Sequence, residues 1–493
     1  MILKKHLWFW ITLFICYPLF AQETSISPPD SLPFKIDESK KLSDARLAKK
    51  KEGWMLTGLP RASYDPIQGI GVGGRGQLYF NGTKEDPFFE YTPFRLRTDF
   101  SVNFTQNGKI AAGVKLDVPY FLNTKWRTRF RFDFADNPNK LYFGPGEQSL
   151  QGLSYRDPIT GELYEDLHYD DYIRKIKTIR PGNAELGEDP DMIYTDRRYN
   201  WIHYRKYATD LLAERTLMDG KLRLITGVGI TDLTYFHYDG KILDDALDSE
   251  GNVVSAISGQ TKVTEDYLAG IHDPNSFWAE NNISGYEGGF LSKLKLGLIF
   301  DTRDFEPDPS KGSLIEYSFG YSPSWLGSDF NYVRNQFQAQ KFLPVLPNIL
   351  PTETTLAGRV MFSSVQGSDI FFREIFDIWS AEQGRLGVFG GEDALRGYKK
   401  FRFGGLIYGF ANLELRTKVT SFSVFKQDIA LSAVPFIDAG RVWDNFQNFQ
   451  LNNFKYSPGI GARIAWNQST ILRIDYAVSK EDSQLFLVVG HIF

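Results

Sequence analysis

Along most of this chain, apolar and polar side chains alternate with a period of two. The clearest stretch sets Phe94, Leu96, Thr98, Phe100, Val102 and Phe104 against Arg95, Arg97, Asp99, Ser101 and Asn103. Such alternation predicts an extended strand with one greasy face and one charged face. The pattern returns at Trp126, Thr128, Phe130, Phe132 and Phe134 against Arg127, Arg129, Arg131 and Asp133, and at Leu472, Ile474, Tyr476 and Val478 against Arg473 and Asp475. Sixteen segments of this kind are read in order, the first near 67-82, then 93-105, 109-118, 125-135 and 139-144, and the last near 484-493.

Alternation alone fits a soluble sandwich as well as a membrane barrel. The connections favour the barrel. Very short turns, such as Gln106-Asn107-Gly108 and Met218-Asp219-Gly220, contrast with long polar excursions near 144-199, 239-289 and 367-403. The excursions follow segments five, seven and eleven, so all three leave one rim of a closed ribbon. Short turns on one rim and long loops on the other are the habit of outer-membrane barrels. The expectation is an all-β fold: a 16-stranded antiparallel transmembrane β-barrel.

The first residues extend this reading. Lys4 and Lys5 precede an apolar stretch from Leu7 to Phe20, the layout of a secretory signal peptide over 1-21. Residues 22-53 form a short periplasmic leader in which 38-52 are compatible with a helix, and 54-493 form the barrel. Cys16, the one cysteine, lies inside the signal and lacks the small residues of a lipoprotein site. No disulfide framework is therefore expected. Fifty-six Lys+Arg nearly balance 60 Asp+Glu, which gives no sign of a nucleic-acid partner. The six histidines are scattered, and neither Gly-x-Ser-x-Gly nor His-Glu-x-x-His occurs. Neither catalysis nor a cofactor or metal is expected. The acidic excursion 144-200 reads as a solvated loop.

Four motifs in the C-terminal half carry a resemblance. They are Asp301-Thr-Arg303-Asp304, Gly390-Gly391-Glu-Asp-Ala-Leu-Arg396-Gly397-Tyr398, Asn412-Leu-Glu414-Leu-Arg416 and Phe436-Ile-Asp438-Ala-Gly440. In this order they resemble the BamA/TamA and two-partner-secretion transporter superfamily, also called the bacterial surface antigen family. Period-two spacing puts Asn412, Glu414 and Arg416 on one face, so Glu414 points into the lumen. The resemblance implies that the loop carrying Arg396, Gly397 and Tyr398 folds into the lumen, where Arg396 meets Glu414 and Asp438.

Two further features leave more than one reading. Gly69, Gly71, Gly73, Gly74 and Gly76 crowd what reads as the first strand. They mark either a weak seam against the last strand, which ends at Val489 and Phe493, or a tight bend where backbones approach closely. The resemblance makes such a seam a lateral gate. Arg95, Arg97, Lys115, Arg127, Arg129 and Arg131 form a basic lumen wall that would attract an acidic segment or lipid headgroup, solvate the interior, or clamp the inserted loop.

Relatives in that superfamily carry periplasmic POTRA modules, and 22-53 are too few residues for one. The expected protein is a barrel of the cell outer membrane, in contact with its lipids. It would assist assembly, insertion or translocation of outer-membrane or surface proteins without POTRA domains of its own, with periplasmic or outer-membrane protein partners replacing them. The alternatives are a structural or partner-binding subunit, or a passive pore. The leader is also compatible with a lumen plug.

Overall fold

The structure, a computed structural model, describes residues 32–493 except 37–40, 43–46, 49, 66, 158–159, 305–307, 346–352, 425–426, 448, 467–469 and 490. The signal peptide and much of the expected leader helix lie outside the described residues. Sixteen antiparallel strands close into one barrel. They are β1 (Trp54–Asp65), β2 (Gly69–Phe80), β3 (Leu96–Thr105), β4 (Ile110–Val118), β5 (Trp126–Leu141), β6 (Trp201–Leu217), β7 (Leu222–Phe236), β8 (Gly288–Asp301), β9 (Gly312–Ser322), β10 (Asn331–Pro344), β11 (Thr354–Phe371), β12 (Ile407–Val424), β13 (Gln427–Trp443), β14 (Lys455–Trp466), β15 (Thr470–Val478) and β16 (Ser483–Val489).

Burial is inverted relative to a soluble domain. Phe100, Leu211, Leu298, Tyr317, Leu413 and Ile460 stand exposed on the outer face, while Arg334, Glu414, Asp438, Arg473 and Asp475 are buried inside. Hydrocarbon offers no hydrogen bonds, so only a closed ladder with an apolar outer face is stable there. No helix of the described residues is long and apolar enough to cross a membrane.

Two strand assignments need correction. The first strand is Trp54–Asp65, not 67-82, and 139-144 is not a strand of its own but lies across the end of β5. Both departures trace to proline. Pro60 lacks an N–H and is tolerated on an edge strand, while Pro138 falls at a register shift between β5 and β6. One strand missed and one split leave the count at sixteen, and the long loops still follow β5, β7 and β11.

The seam moves with this correction. β1 pairs with β2 over twelve consecutive residues but with β16 at one register position, Tyr64 opposite Leu487. The glycine strand is β2, flanked on both sides by full ladders, so Gly69, Gly71, Gly73, Gly74 and Gly76 are not at the seam. Close approach explains Gly73, where a Cβ would come within 2.1 Å of Val102 O. Val489 pairs with Leu472 on β15, and Phe493 turns inward against Phe342.

The described leader residues lie along the periplasmic rim. Phe34 packs on Phe88 and Tyr120, and Lys50 Nζ donates to Phe89 O (2.6 Å) and Thr92 O (2.9 Å) in the β2–β3 connection. The 5–6 and 7–8 loops cap the opposite rim. There Tyr142, Trp278, Phe371, Phe372 and Phe376 share one apolar cluster.

Gly73→Val is expected to destabilise the barrel by about 1–3 kcal/mol, because the branch meets backbone that cannot move alone. Gly76→Ala is expected to be nearly neutral, since its Cβ meets only Thr57 O at 3.8 Å. Urea unfolding of the refolded barrel, followed by its heat-modifiable migration, measures the difference.

Candidate functional site

The 11–12 loop, residues 372–406, runs inside the barrel rather than over it. Its first turn is pinned by charge: Glu374 takes Lys293 Nζ from β8 and Arg334 Nη1 from β10, each at 3.0 Å. A hairpin of Asp377–Ser380 with Gly384–Val388 then crosses the lumen. At its tip Glu382 meets Arg129 of β5 (3.0 Å) and Arg223 of β7 (2.7 Å), and Gln383 O accepts from Arg131. The chain turns back at Gly390 and Gly391, both at positive φ, where a Cβ on Gly390 would sit 2.3 Å from Lys399 O.

That turn delivers Arg396 to the opposite wall, where it is fully buried. Its Nε and Nη2 donate to the two oxygens of Asp438 at 2.9 and 2.8 Å. Its Nη1 donates to Glu414 (2.8 Å) and Asp475 (2.9 Å), and the guanidinium lies 3.3 Å from the Phe436 ring centroid. Arg463 bridges Asp475 and Glu414 at 2.5 and 3.0 Å, and Arg416 donates to Glu414 at 2.9 Å. Three guanidiniums thus face three carboxylates, and a planar fork suits such bidentate contacts. Burial disfavours the charge on Arg396, but the surrounding Asp438, Glu414 and Asp475 outweigh it and raise its pKa.

Neighbouring residues fix the arrangement. The Gly397 N–H donates to Ser457 Oγ at 2.5 Å, and a Cβ there would collide with Val478 O at 2.6 Å. Tyr398 is buried against Phe403. Asn412 Nδ2 donates to Ala394 O (2.7 Å) and to Asp438 (2.8 Å), which ties loop and wall together.

The structure therefore brings together Arg396, Gly397, Glu414 and Asp438. It adds Asp475 and Arg463, which the sequence reading had not joined to them. Both lie on inward positions of β15 and β14, three and two strands from Glu414, so their meeting depends on barrel curvature. The basic wall is dispersed. Arg95 leaves it to pair with Asp86 (2.9 Å) at the periplasmic rim, while Arg97 and Arg127 both reach Asp117. Arg129 and Arg131 grip the loop, and Lys115 lines a lumen cavity of about 510 Å³ between the loop and β1–β8. The wall is thus mostly ion-paired, because Asp99, Asp117, Asp210 and Glu214 sit on the same inward faces.

An inside-out sixteen-strand barrel with a charged loop locked in its lumen is an outer-membrane barrel of a bacterium. Residues 259–490 match the Omp85 superfamily domain. Residues 32–95 match a domain of unknown function, DUF5982. The chain is similar to the outer membrane protein assembly factor BamA of Nitratidesulfovibrio vulgaris, 26% identical over 179 residues, which are 34% of this chain and 20% of that protein. It thus spans about a fifth of that relative's length. Among solved structures, BamA from Haemophilus ducreyi lacking POTRA domains 1-3 aligns with 89% of this chain and 70% of that chain at 12% identity and a TM-score of 0.49. CdiB from Escherichia coli aligns with 89% of this chain and 62% of that chain at 10% identity and a TM-score of 0.48.

Replacing Arg396 with alanine leaves buried Asp438 without a guanidinium and takes one from Glu414 and Asp475, and is expected to cost about 3–5 kcal/mol. Lysine keeps the charge but not the fork, and should recover part of this loss. Limited proteolysis of the 372–406 loop, compared with cleavage elsewhere, reports the release directly. Unchanged protection in Arg396→Ala would show that the cluster does not hold the loop.

Proposed function

We propose that this barrel assists insertion or translocation of outer-membrane or surface proteins at a seam between β1 and β16. One observation carries the reading: β1 has a full ladder on one side and, among the described residues, a single registered pair on the other. Among the described residues β16 pairs as far as Val489, and residues 491–493 turn into the lumen. There Arg359 donates to Ile492 O (3.1 Å), Arg416 to Phe493 O (3.3 Å), and His491 meets Asp308 at 2.9 Å. The periplasmic half of β1 therefore presents backbone donors and acceptors without a β16 partner. An incoming strand satisfies them by adding to the edge, with backbone hydrogen bonds supplying affinity whatever the side chains.

The remaining features support the same reading. The inserted loop and the outer cap occupy much of the lumen, which disfavours a passive pore. The leader lies on the periplasmic rim next to β1, where a periplasmic partner would hand over a client. The reading assigns no catalytic step to any residue.

A disulfide between Tyr64→Cys and Leu487→Cys, in a chain whose own cysteine has been replaced, should form readily because these positions face each other. Oxidised cells depleted of the wild-type protein are expected to lose particular barrels or surface proteins from the outer membrane, and reductant is expected to restore them. A membrane profile that ignores both the lock and the depletion would favour the subunit reading instead.

A further inference from the structure

The lumen loop extends past the Arg396 cluster to the seam. Lys399 Nζ lies 2.9 Å from Asp482 Oδ2, and Arg402 donates to both oxygens of Glu481 at 2.7 and 2.9 Å. Both acids sit in the 479–482 turn that leads into β16. The same turn also donates from Ser479 Oγ to Gly397 O at 2.8 Å. Between these contacts Lys400 faces the other bank. Its Nζ is 2.7 Å from Asp65 Oδ2, at the end of β1, and 2.5 Å from Glu392 in the loop itself.

Local backbone geometry makes the opposed directions possible. Phe401 holds a positive φ of 62°, rare for a bulky residue, and this reversal returns Arg402 to the side taken by Lys399. Asp65 is itself fixed, since its Oδ1 accepts the Ile67 and Gln68 N–H groups at 2.9 Å and so caps the β1–β2 turn. The outer end of the seam is therefore bridged by side chains from a third element, beside the one position where β1 and β16 pair.

We infer that residues 396–402 form a clasp that holds the outer end of the seam shut by gripping β1 through Lys400 and the approach to β16 through Lys399 and Arg402. Among the described residues the periplasmic end has no such bridge. Separation of the two strands then begins at the periplasmic end and completes only when the Lys400–Asp65 contact breaks. Movement of the lumen loop and opening of the seam become one event. The clasp rests on the seam assigned above, but it concerns closure and not the identity of any client.

Spin labels at Ala62→Cys and Leu485→Cys, both on the lipid-facing side of the seam, read the gap directly by pulsed dipolar spectroscopy in the full chain reconstituted in phosphatidylethanolamine–phosphatidylglycerol vesicles. The wild type is expected to give one narrow distance. Lys400→Met is expected to raise a longer-distance population about tenfold, the effect of losing roughly one charge-assisted contact. Lys400→Arg, which keeps a positive charge for Asp65 and Glu392, is expected to keep the narrow distribution. A distribution unchanged in Lys400→Met, with the barrel still heat-modifiable, overturns the clasp. If Lys400→Met fails to fold, Asp65→Asn decides by the same measurement. A widened gap together with a normal outer-membrane profile would keep the clasp and refute the insertion reading, so the two fail separately.

Discussion

A strand in hydrocarbon must satisfy its backbone on both sides, and β1 does so on one. Each unpaired peptide group facing lipid costs several kcal/mol, which is why spanning sheets close on themselves. Among the described residues, pairing is extensive around fifteen interfaces and limited to one registered pair at the sixteenth. β16 is the shortest barrel strand, and the residues after it are drawn inward by Arg359 and Arg416 rather than left to extend the ladder. The barrel thus concentrates its weakness at one place.

Something other than backbone pairing must compensate, and the lumen loop does so. Its charges are spent in pairs: Glu374 on β8 and β10, Glu382 on β5 and β7, Arg396 on β12, β13 and β15. The loop therefore braces opposite walls while its Lys399–Arg402 stretch bridges the gap between first and last strands. Buried ion pairs contribute little net stability relative to an apolar core, but breaking one leaves an unpaired charge at high cost. Such contacts suit a device that has few intermediate positions. They hold one register, and they release as a group.

Much of this was legible in the sequence, and the exceptions have physical causes. The alternation of Phe94–Phe104 and Trp126–Phe134 fixed those strands and their inward faces, because a barrel wall admits only one polarity per face. β1 was illegible because its outward positions are Trp54, Leu56, Gly58, Pro60, Ala62 and Tyr64, half of them too small or too turn-like to register as an apolar face. That omission placed the seam on the glycine strand, where the glycines instead admit close backbones. The partnership of Arg396 with Glu414 and Asp438 followed from motif and parity. Asp475 and Arg463 join by curvature across several strands, and Lys400–Asp65 joins residues 335 positions apart, a separation no local pattern encodes.

Residue-resolved amide hydrogen exchange along β1, in the wild-type chain in a bilayer, tests the uneven seam most directly. The account predicts alternation between Met55 and Ala62: amides aimed at β2 protected, those aimed at the seam exchanging far faster, with β2 protected throughout its length. Uniform slow exchange at every amide of β1 would mean that β16 pairs along the whole edge, and would contradict it.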